Sequence, residues 1–213
     1  MAPFIEGAWM NKFDGKYYLQ YGAPGTEWNV YGDGVYVSDK PLGPFEYQKY
    51  SPFSWKPTGF IRGAGHGNTF ADRYNNLWHA ATMDICVKNT FERRMGLFPS
   101  GFDKDGVLYA DTTFGDYPHY IAKGKRSGDD FTGWMLLSYR KPCWTLPAVG
   151  DKSLAFDEDI KTFWTAGDAA KDRFIAVDLL EPCTIRAVQI NYADDQAKVF
   201  GKQLGKHHRY QVY

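Results

Sequence analysis

Short, aromatic-rich runs separated by turn-forming residues recur through residues 1–139, and they constrain the fold more than any other feature. Asp14 and Gly15 form a two-residue hairpin signal before residues 16–21, and residues 103–106 form another before residues 107–109. Aromatic residues make up 17% of the chain, and their side chains pack well on a pleated surface. The pattern therefore predicts an all-β fold of short strands joined by tight turns.

A faint internal repeat indicates how these strands are grouped. The segments DGKYYL at residues 14–19 and YNNLWH at residues 74–79 each place a turn before an aromatic strand. Further strands are predicted at residues 34–38, 45–47, 76–82 and 94–98. A period of about 60 residues with several strands in each unit is typical of propeller blades rather than of a sandwich.

The sequence pattern changes near Lys141 and Pro142, which divides the chain into two predicted domains. Residues 1–140 form the strand-repeat domain, and residues 145–213 form a second one. Within the second domain, residues 184–192 alternate imperfectly between apolar and polar, as a half-buried strand does. Residues 209–213 are predicted to form another strand.

Charge and cysteine content exclude several classes of function. The chain has 25 basic and 25 acidic residues, so nothing steers it toward nucleic acid or an anionic membrane. No apolar run approaches the roughly 18 residues of a membrane span, and the first residues lack the features of a signal peptide. Cys86, Cys143 and Cys183 are odd in number and widely spaced, which predicts buried thiols or at most one disulfide bridge.

Glu6 and His66 are the leading candidates for chemistry. Glu6 stands beside Phe4 and Ile5, where a poorly hydrated carboxyl group suits a general acid; the alternative is a surface glutamate near a terminus. His66 lies in GAGHG at residues 63–67, where glycines allow a close backbone approach. Its imidazole suits a metal or a substrate hydroxyl, and the alternative is a turn histidine bonded to the backbone.

Arginine and tryptophan side chains supply candidate binding groups. Arg93 and Arg94 offer fixed forks of donors suited to a polyol or a carboxylate, although they also form a charge cluster with Glu92. Tryptophan ring faces stack well on sugar C–H groups, with core packing as the alternative. The tryptophans considered are Trp9, Trp28, Trp55 and Trp78.

These segments together resemble glycoside hydrolase family 43, the five-bladed β-propeller glycosidases, over roughly residues 4–120. The likeness is carried by EGAWM at 6–10, DGKYYLQY at 14–21, SDKPLGPF at 38–45, GAGHGNT at 63–69 and RRMGLFP at 93–99. The resemblance implies that Glu6 is the general acid and that His66 lies at the propeller axis near a bound ion, often calcium. It also implies that Arg93 or Arg94 lines the pocket for a polysaccharide or oligosaccharide, which Trp9 is predicted to contact by stacking, and that the parent protein is secreted or periplasmic.

The chain departs from the family in one respect. Family members place two further carboxylates before this glutamate, one the general base and one that tunes and orients the acid. Glu6 stands too early in the chain for either position, and Asp72, Asp84 and Asp116 do not match them. We therefore expect a C-terminal part of the enzyme with about three blades, inactive or nearly so alone, because inversion needs two carboxyl groups.

Residues 145–213 resemble the start of a coagulation-factor-type C (discoidin) module, a β-sandwich jelly roll that often binds carbohydrate. The likeness is carried by residues 155–164, 174–179 and 185–192, which make up about half of such a module. Asp157 and Asp159 are candidates for a structural cation, or for loop and cap contacts.

Three functions are compatible with these patterns. The leading expectation is an inverting exo-glycosidase acting on arabinofuranoside, xyloside or galactoside side chains of plant polysaccharide. The second is a non-catalytic carbohydrate-binding protein, and the third is a structural or adhesion fragment with no sugar site. An aspartate-bearing blade in the complete protein would favour the first of these.

Overall fold

The computed structural model describes residues 4–26, 28, 30–84, 93–113, 115–127, 134–167, 173–193 and 210–213. The strands confirm the predicted all-β fold class. They are β1 (Glu6–Phe13), β2 (Lys16–Ala23), β3 (Gly32–Ser38), β4 (Glu46–Tyr47), β5 (Ser54–Trp55), β6 (Arg62–Ala71), β7 (Leu77–Asp84), β8 (Arg93–Phe102), β9 (Leu108–Ala110), β10 (Cys143–Leu146) and β11 (Phe174–Val177). The described residues contain one helical element, a short 3-10 helix over Lys152–Ala155.

Nine of these strands form two antiparallel sheets arranged as consecutive propeller blades. In the first blade the order is β1-β2-β3-β4, and β5 also pairs with β3; in the second it is β6-β7-β8-β9. The two repeated segments occupy equivalent hairpins, since Asp14 and Gly15 join β1 to β2 and the turn at Asn75 joins β6 to β7. Positive φ angles of 45° at Asp14 and 79° at Gly15 match the primed turn that a tight hairpin requires.

The core lies largely between the two blades. One cluster joins Tyr18 and Val35 of the first blade to Leu108 of the second, and Phe53 completes it. A second cluster inside the second blade contains Ala81, Met83 and Phe98. Strand β6 also contacts β1, β2 and β3, so the inner strands of the two blades meet along β6.

Two blades are complete in the described residues, and the third of the predicted three is not seen there as a sheet. Residues 115–127 instead run along the second blade. The guanidinium of Arg126 donates to the carbonyl oxygens of Leu77 and Ser100, and it lies 4.7 Å from the Trp78 ring centroid. This segment therefore covers Trp78, which is buried and has the core role that was the alternative to sugar stacking.

Residues 145–213, the predicted second domain, show less of their predicted structure. Strands β10 and β11 pair as a two-stranded antiparallel sheet, and the jelly roll stays a prediction. Residues 184–192 form no strand, so that prediction is wrong. Ile185, Val188 and Ile190 are exposed, because no other described strand pairs with this segment to bury one of its faces. Residues 210–213 are likewise unpaired.

Local contacts decide two smaller predictions. Asp157 accepts the backbone N–H of Asp159 and the hydroxyl of Thr162, which are contacts of the predicted loop role, and the structural cation stays a prediction. Cys143 and Cys183 carry free thiols, but Cys183 is exposed, so the prediction of burial is wrong for it; Cys86 lies outside the described residues.

No helix among the described residues has the length and apolar character needed to cross a membrane.

Candidate active site

An irregular stretch of β6 presents His66 to the first blade. The pairing of β6 with β7 shifts register between Gly63 and Gly65, and again between Gly65 and Asn68. Within this bulge φ is 83° at Ala64 and 51° at His66. Positive φ is uncommon for residues with a Cβ and persists only where surrounding contacts impose it. Bulges of this kind redirect a side chain, and here the redirected side chain is His66.

Two glycines of the first blade allow the close approach. A Cβ on Gly7 would lie 2.6 Å from Cδ2 of the His66 ring, and one on Gly22 would lie 2.8 Å from the His66 backbone nitrogen. Both distances are too short for real carbon contacts. Glycine at these positions therefore lets β1 and β2 pack directly on the bulge.

The close packing of β1 and β2 on the bulge brings Glu6 and His66 together. Oε1 of Glu6 lies 3.2 Å from Nδ1 of His66, with 39% of the glutamate side chain and 45% of the histidine side chain exposed. Glu6 opens β1 opposite Gly22, and a register shift follows before Trp9. The carboxyl group is thus held against the imidazole while both groups stay accessible from solvent.

Tyr31 links this pair to Arg93. Burial, followed by the charges of Glu6 and Asp33, raises the pKa of the Tyr31 hydroxyl, and the charge of Arg93 acts in the opposite direction. Tyr31 is fully buried, and its ring lies against the bulge, since a Cβ on Gly65 would fall 2.9 Å from it. Arg93 begins β8 opposite Asp84, the last residue of β7.

Arg94 occupies the next position along β8. Successive side chains of a strand point to opposite faces, and the Arg94 guanidinium donates to the carbonyl oxygen of Arg93. It lines a cavity with Met95, Tyr117 and His119.

Trp9 has a structural contact beside its predicted binding role. Its indole N–H donates to the carbonyl oxygen of Thr69 at 3.0 Å, and Nδ2 of Asn11 donates to the same oxygen. These bonds join β1 to β6. Trp9 is still 41% exposed, which leaves part of its ring accessible to a ligand. Sugar contact by Trp9 stays a prediction.

Sequence reasoning missed Tyr31 and Asp33. Asp33 lies inside β3 between Gly32 and Gly34 and is fully buried, although GDG in a sequence favours a turn. His79 is a satisfied core residue, since both of its ring nitrogens have partners. The signal that would have found Asp33 is an acid placed within a run of β-forming residues, because such an acid needs a buried partner.

The predicted calcium ion lacks a protein cage in this region. Calcium takes about six to eight oxygen ligands, whereas no three His, Cys, Asp or Glu side chains of the described chain cluster as a metal site. Nδ1 of His66 faces Glu6 rather than an open position. Calcium at His66 stays a prediction, and the chemistry of the site is derived from the side chains alone.

The fold and the site define an all-β protein in which a carboxyl–imidazole pair lies where the inner strands of two blades meet. No protein-family model matches the chain. Over 45 residues, 21% of the chain, it is 44% identical to a β-xylosidase from Xylanibacter ruminicola. A xylosidase/arabinosidase from Bacteroides ovatus matches to the same extent. The match spans 13% of the length of each relative.

Solved structures of glycoside hydrolases are similar to part of the chain. An endo-1,4-β-xylanase from Bacteroides thetaiotaomicron is 27% identical with a TM-score of 0.47, covering 52% of this chain and 38% of its own. A thermostable family-43 glycoside hydrolase is 24% identical with a TM-score of 0.47, covering 58% and 39%. A xylan β-1,4-xylosidase from Bacillus halodurans is 23% identical with a TM-score of 0.44, covering 50% and 22%. Likenesses this partial do not assign a family.

Proposed function

We propose that the chain is part of an inverting, exo-acting glycoside hydrolase of family 43. Its substrates would be xyloside or arabinofuranoside side chains of plant polysaccharide, with galactosides as the third sugar class. The observation that carries the proposal is the contact between Glu6 and His66 at the junction of the two inner strands. The names of the two relatives, a β-xylosidase and a xylosidase/arabinosidase, support these sugars.

Glu6 is the general acid in this proposal. Its Oε1 lies 3.2 Å from Nδ1 of His66, so the imidazole stands beside one carboxyl oxygen, and in this proposal Oε2 is the oxygen that delivers the proton. A carboxyl group fixed in this way protonates the glycosidic oxygen as the bond to the anomeric carbon breaks. His66 orients the acid without taking part in the proton transfer.

Arg93 and Trp9 form the proposed sugar contacts. A guanidinium presents several N–H donors in a fixed plane, which suits neighbouring hydroxyl groups of a sugar ring. Trp9 lies three residues after Glu6 on β1 and keeps part of its ring exposed, so that a ring face is free to stack on sugar C–H groups. Arg94, at the next position of β8, is the alternative arginine for this contact.

In this proposal the general base is a carboxylate outside the described residues. Inversion requires a second carboxyl group about 6.5–9.5 Å from the acid, with room for a water between them. Asp33 does not qualify, because it is fully buried and bonded to His79 and Gly67. Asp84 accepts the hydroxyl of Thr26 at 2.7 Å. We accordingly expect residues 1–213 alone to show hydrolysis near background.

Residues 145–213 enter the proposal as a carbohydrate-binding module of the discoidin type. A secreted or periplasmic location fits an enzyme that meets polysaccharide, and it forms part of the same proposal. Both would be tested by measuring the binding of the isolated 213-residue chain to xylan and arabinan and by locating the complete protein in cell fractions.

The decisive experiment uses the protein encoded by the complete reading frame that contains these residues. It is assayed on 4-nitrophenyl β-xyloside, α-arabinofuranoside and β-galactoside, and the configuration of the released sugar is followed by proton NMR. We expect inversion, and Glu6→Gln should lower kcat by about 10²–10⁴-fold, the usual contribution of one acid–base group. The matched control is Glu46→Gln, at an exposed position on β4, which should keep full activity.

Three results would overturn the proposal. Retention of configuration would replace the inverting mechanism with another one. Full activity in Glu6→Gln would remove Glu6 from the chemistry. Sugar binding without turnover of any substrate would identify a carbohydrate-binding protein instead.

A further inference from the structure

Strand β3 places a buried carboxylate directly beneath the bulge that carries His66. Asp33 has no exposed surface. Its Oδ2 accepts the backbone N–H of Gly67 at 2.8 Å and lies 2.9 Å from Nε2 of His79. Gly67 follows His66 in the chain, so Asp33 is bonded to the backbone next to the candidate active-site histidine.

The protons of this network are assigned by following its hydrogen bonds inward from Asn11. Nδ2 of Asn11 donates to the carbonyl oxygen of Thr69, so Oδ1 of Asn11 is the acceptor for Nε2 of Gln20. Oε1 of Gln20 then accepts the hydroxyl of Thr69 at 2.8 Å. That bond uses the single hydroxyl hydrogen of Thr69.

The assignment fixes the state of His79. Nδ1 of His79 lies 3.0 Å from Oγ1 of Thr69, and that oxygen has no hydrogen left to give, so Nδ1 is the donor. Nε2 faces the acceptor Oδ2 of Asp33, so it is a donor as well. A histidine that donates from both ring nitrogens is an imidazolium, and it forms a buried ion pair with Asp33.

Apolar surroundings make this ion pair sensitive to the loss of either member. The His79 ring is fully buried, with the Phe53 ring edge-on at 4.9 Å and the Phe98 ring stacked at 6.5 Å. A buried charge without its partner is strongly unfavourable. Each member therefore holds the other in place, and the pair acts as one rigid unit between the blades.

The bulge rests on this unit without intervening side chains. A Cβ on Gly67 would lie 2.5 Å from Nε2 of His79 and 2.7 Å from Oδ2 of Asp33. A Cβ on Gly65 would lie 2.9 Å from the ring of Tyr31. The two glycines that flank His66 are thus seated on the side chains of Tyr31 and Asp33 and on the ring of His79.

We propose that Asp33 and His79 are positioning residues for the Glu6–His66 pair. The ion pair anchors the Gly67 amide, the anchored amide holds His66 at its positive φ, and that conformation directs the imidazole at Glu6. The catalytic meaning of this arrangement rests on the proposed function. The positioning itself is a structural relationship that is measured without any substrate.

The test uses the 213-residue chain with labelled histidine and two NMR signals. Long-range nitrogen–proton spectra of the wild-type chain should show both ring nitrogens of His79 protonated. The ring proton of His66 on Cδ2 should show a nuclear Overhauser effect to the Gly7 α protons, which reports that the histidine is in place. Asp33→Asn and His79→Gln should lose at least half of that Overhauser intensity.

A matched control separates positioning from general stability. Gln48 is buried and joins the two blades elsewhere, through bonds of its side-chain amide to the N–H and carbonyl groups of Leu108. Gln48→Ala should lower the unfolding midpoint and leave the His66–Gly7 signal intact. In the complete enzyme, Asp33→Asn should lower kcat by up to about 100-fold, the cost of misplacing a catalytic group by about 1 Å, with little change in KM.

The proposal is overturned if the wild-type His79 ring has an unprotonated nitrogen, a measurement that needs no variant. It is also overturned if the folded variants keep the His66–Gly7 signal at wild-type intensity. Thr69→Val, which removes the hydroxyl that accepts from Nδ1 and donates to Gln20 but leaves Asp33 in place, is the milder variant should Asp33→Asn fail to fold. The glycosidase proposal fails separately if the complete protein turns over no substrate while both NMR signals are present.

Discussion

Gly7 lies directly against the ring of His66, so close that a Cβ on Gly7 would fall 2.6 Å from Cδ2 of that ring. Gly7 has a φ of 66° and follows Glu6, so one short segment of β1 carries the carboxyl group and provides the surface on which the imidazole rests. The spacing of acid and histidine is therefore set by the backbone of β1 as much as by the two side chains.

Gly7→Ala should displace His66 from Glu6. The added methyl group collides with the ring and imposes positive φ on a residue with a Cβ, and the two effects together should cost about 2–4 kcal/mol in the free energy of unfolding. Urea unfolding measures that cost, and the loss of the His66–Gly7 Overhauser effect reports the displacement.

Gly15→Ala is the matched control for that change. Gly15 also has positive φ, 79°, but a Cβ there would meet nothing within 4 Å, so it carries only the backbone strain of about 1–2 kcal/mol. Equal costs for the two variants would show that the ring contact at Gly7 has no energetic weight.

The fold was predictable where its signals are local. The turns at Asp14 and Gly15 and at residues 103–106 specify hairpins within a few residues, and β2 and β9 follow them as expected. The local pattern of residues 184–192 was not enough to predict their structure. Alternation of apolar and polar residues indicates which face of a strand would be buried, but it does not supply the neighbouring strand that buries it.

The candidate site was predictable only in its exposed members. Glu6 and His66 stand out because a carboxyl group beside apolar residues and a histidine between glycines are unusual locally. Asp33 and His79 are 46 residues apart, and neither has a local pattern that indicates the other. Their partnership arises from the packing of β3 against β6 and the pairing of β6 with β7, which carries His79, and both follow from the tertiary fold rather than from any sequence window.

Asp72 should stabilise the hairpin between β6 and β7 in a pH-dependent manner. Desolvation acts to raise the pKa of this carboxyl group, but bonds from the Asn76 amides, the Trp78 indole and the Tyr74 backbone hold the pKa well below its ordinary value of 3.8. A depressed carboxyl pKa contributes stability that is present above the unfolded-state pKa and is lost as pH falls through the folded-state pKa.

Asp72→Asn should therefore lower the unfolding midpoint at neutral pH, and the difference from wild type should shrink as pH falls below about 3.8. Thermal unfolding at several pH values measures this. Asp39→Asn, at an exposed turn position, is the control and should leave the midpoint nearly unchanged. A difference between Asp72→Asn and wild type that is constant with pH would contradict the assigned role.

Lys56 and Asp116 form a buried ion pair that should be costly to break from one side. Nζ lies 3.3 Å from Oδ1, and the side chains are 7% and 1% exposed. Lys56→Met leaves the carboxylate buried without its partner, which should cost about 3–5 kcal/mol in the free energy of unfolding. Lys56→Met combined with Asp116→Leu should recover much of that loss. A single-variant cost below about 1 kcal/mol, the range of surface pairs, would contradict the prediction.

Glu158 should make stability fall as pH rises above its ordinary pKa. The hydroxyl of Tyr117 donates to Oε2 of Glu158 at 2.6 Å, which joins the segment after the second blade to the loop that follows the 3-10 helix. Burial raises the pKa of Glu158 above 4.5, while the bond from Tyr117 acts to lower it. A raised carboxyl pKa contributes stability that is fully present below the unfolded-state pKa and is lost as pH rises through the folded-state pKa.

Glu158→Gln keeps an oxygen that accepts the Tyr117 hydroxyl but does not ionise, so its stability should not decline over this pH range. Wild type and variant should be most alike near pH 4.5, and the variant should gain relative to wild type as pH rises. Tyr117→Phe removes the donor that favours the ionised carboxylate, so it should shift the wild-type decline to higher pH. Urea unfolding from acidic to neutral pH measures the free energy of unfolding of all three proteins. Parallel pH profiles for wild type and Glu158→Gln would contradict the prediction, because they would show that this carboxyl group stays hydrated in the folded protein.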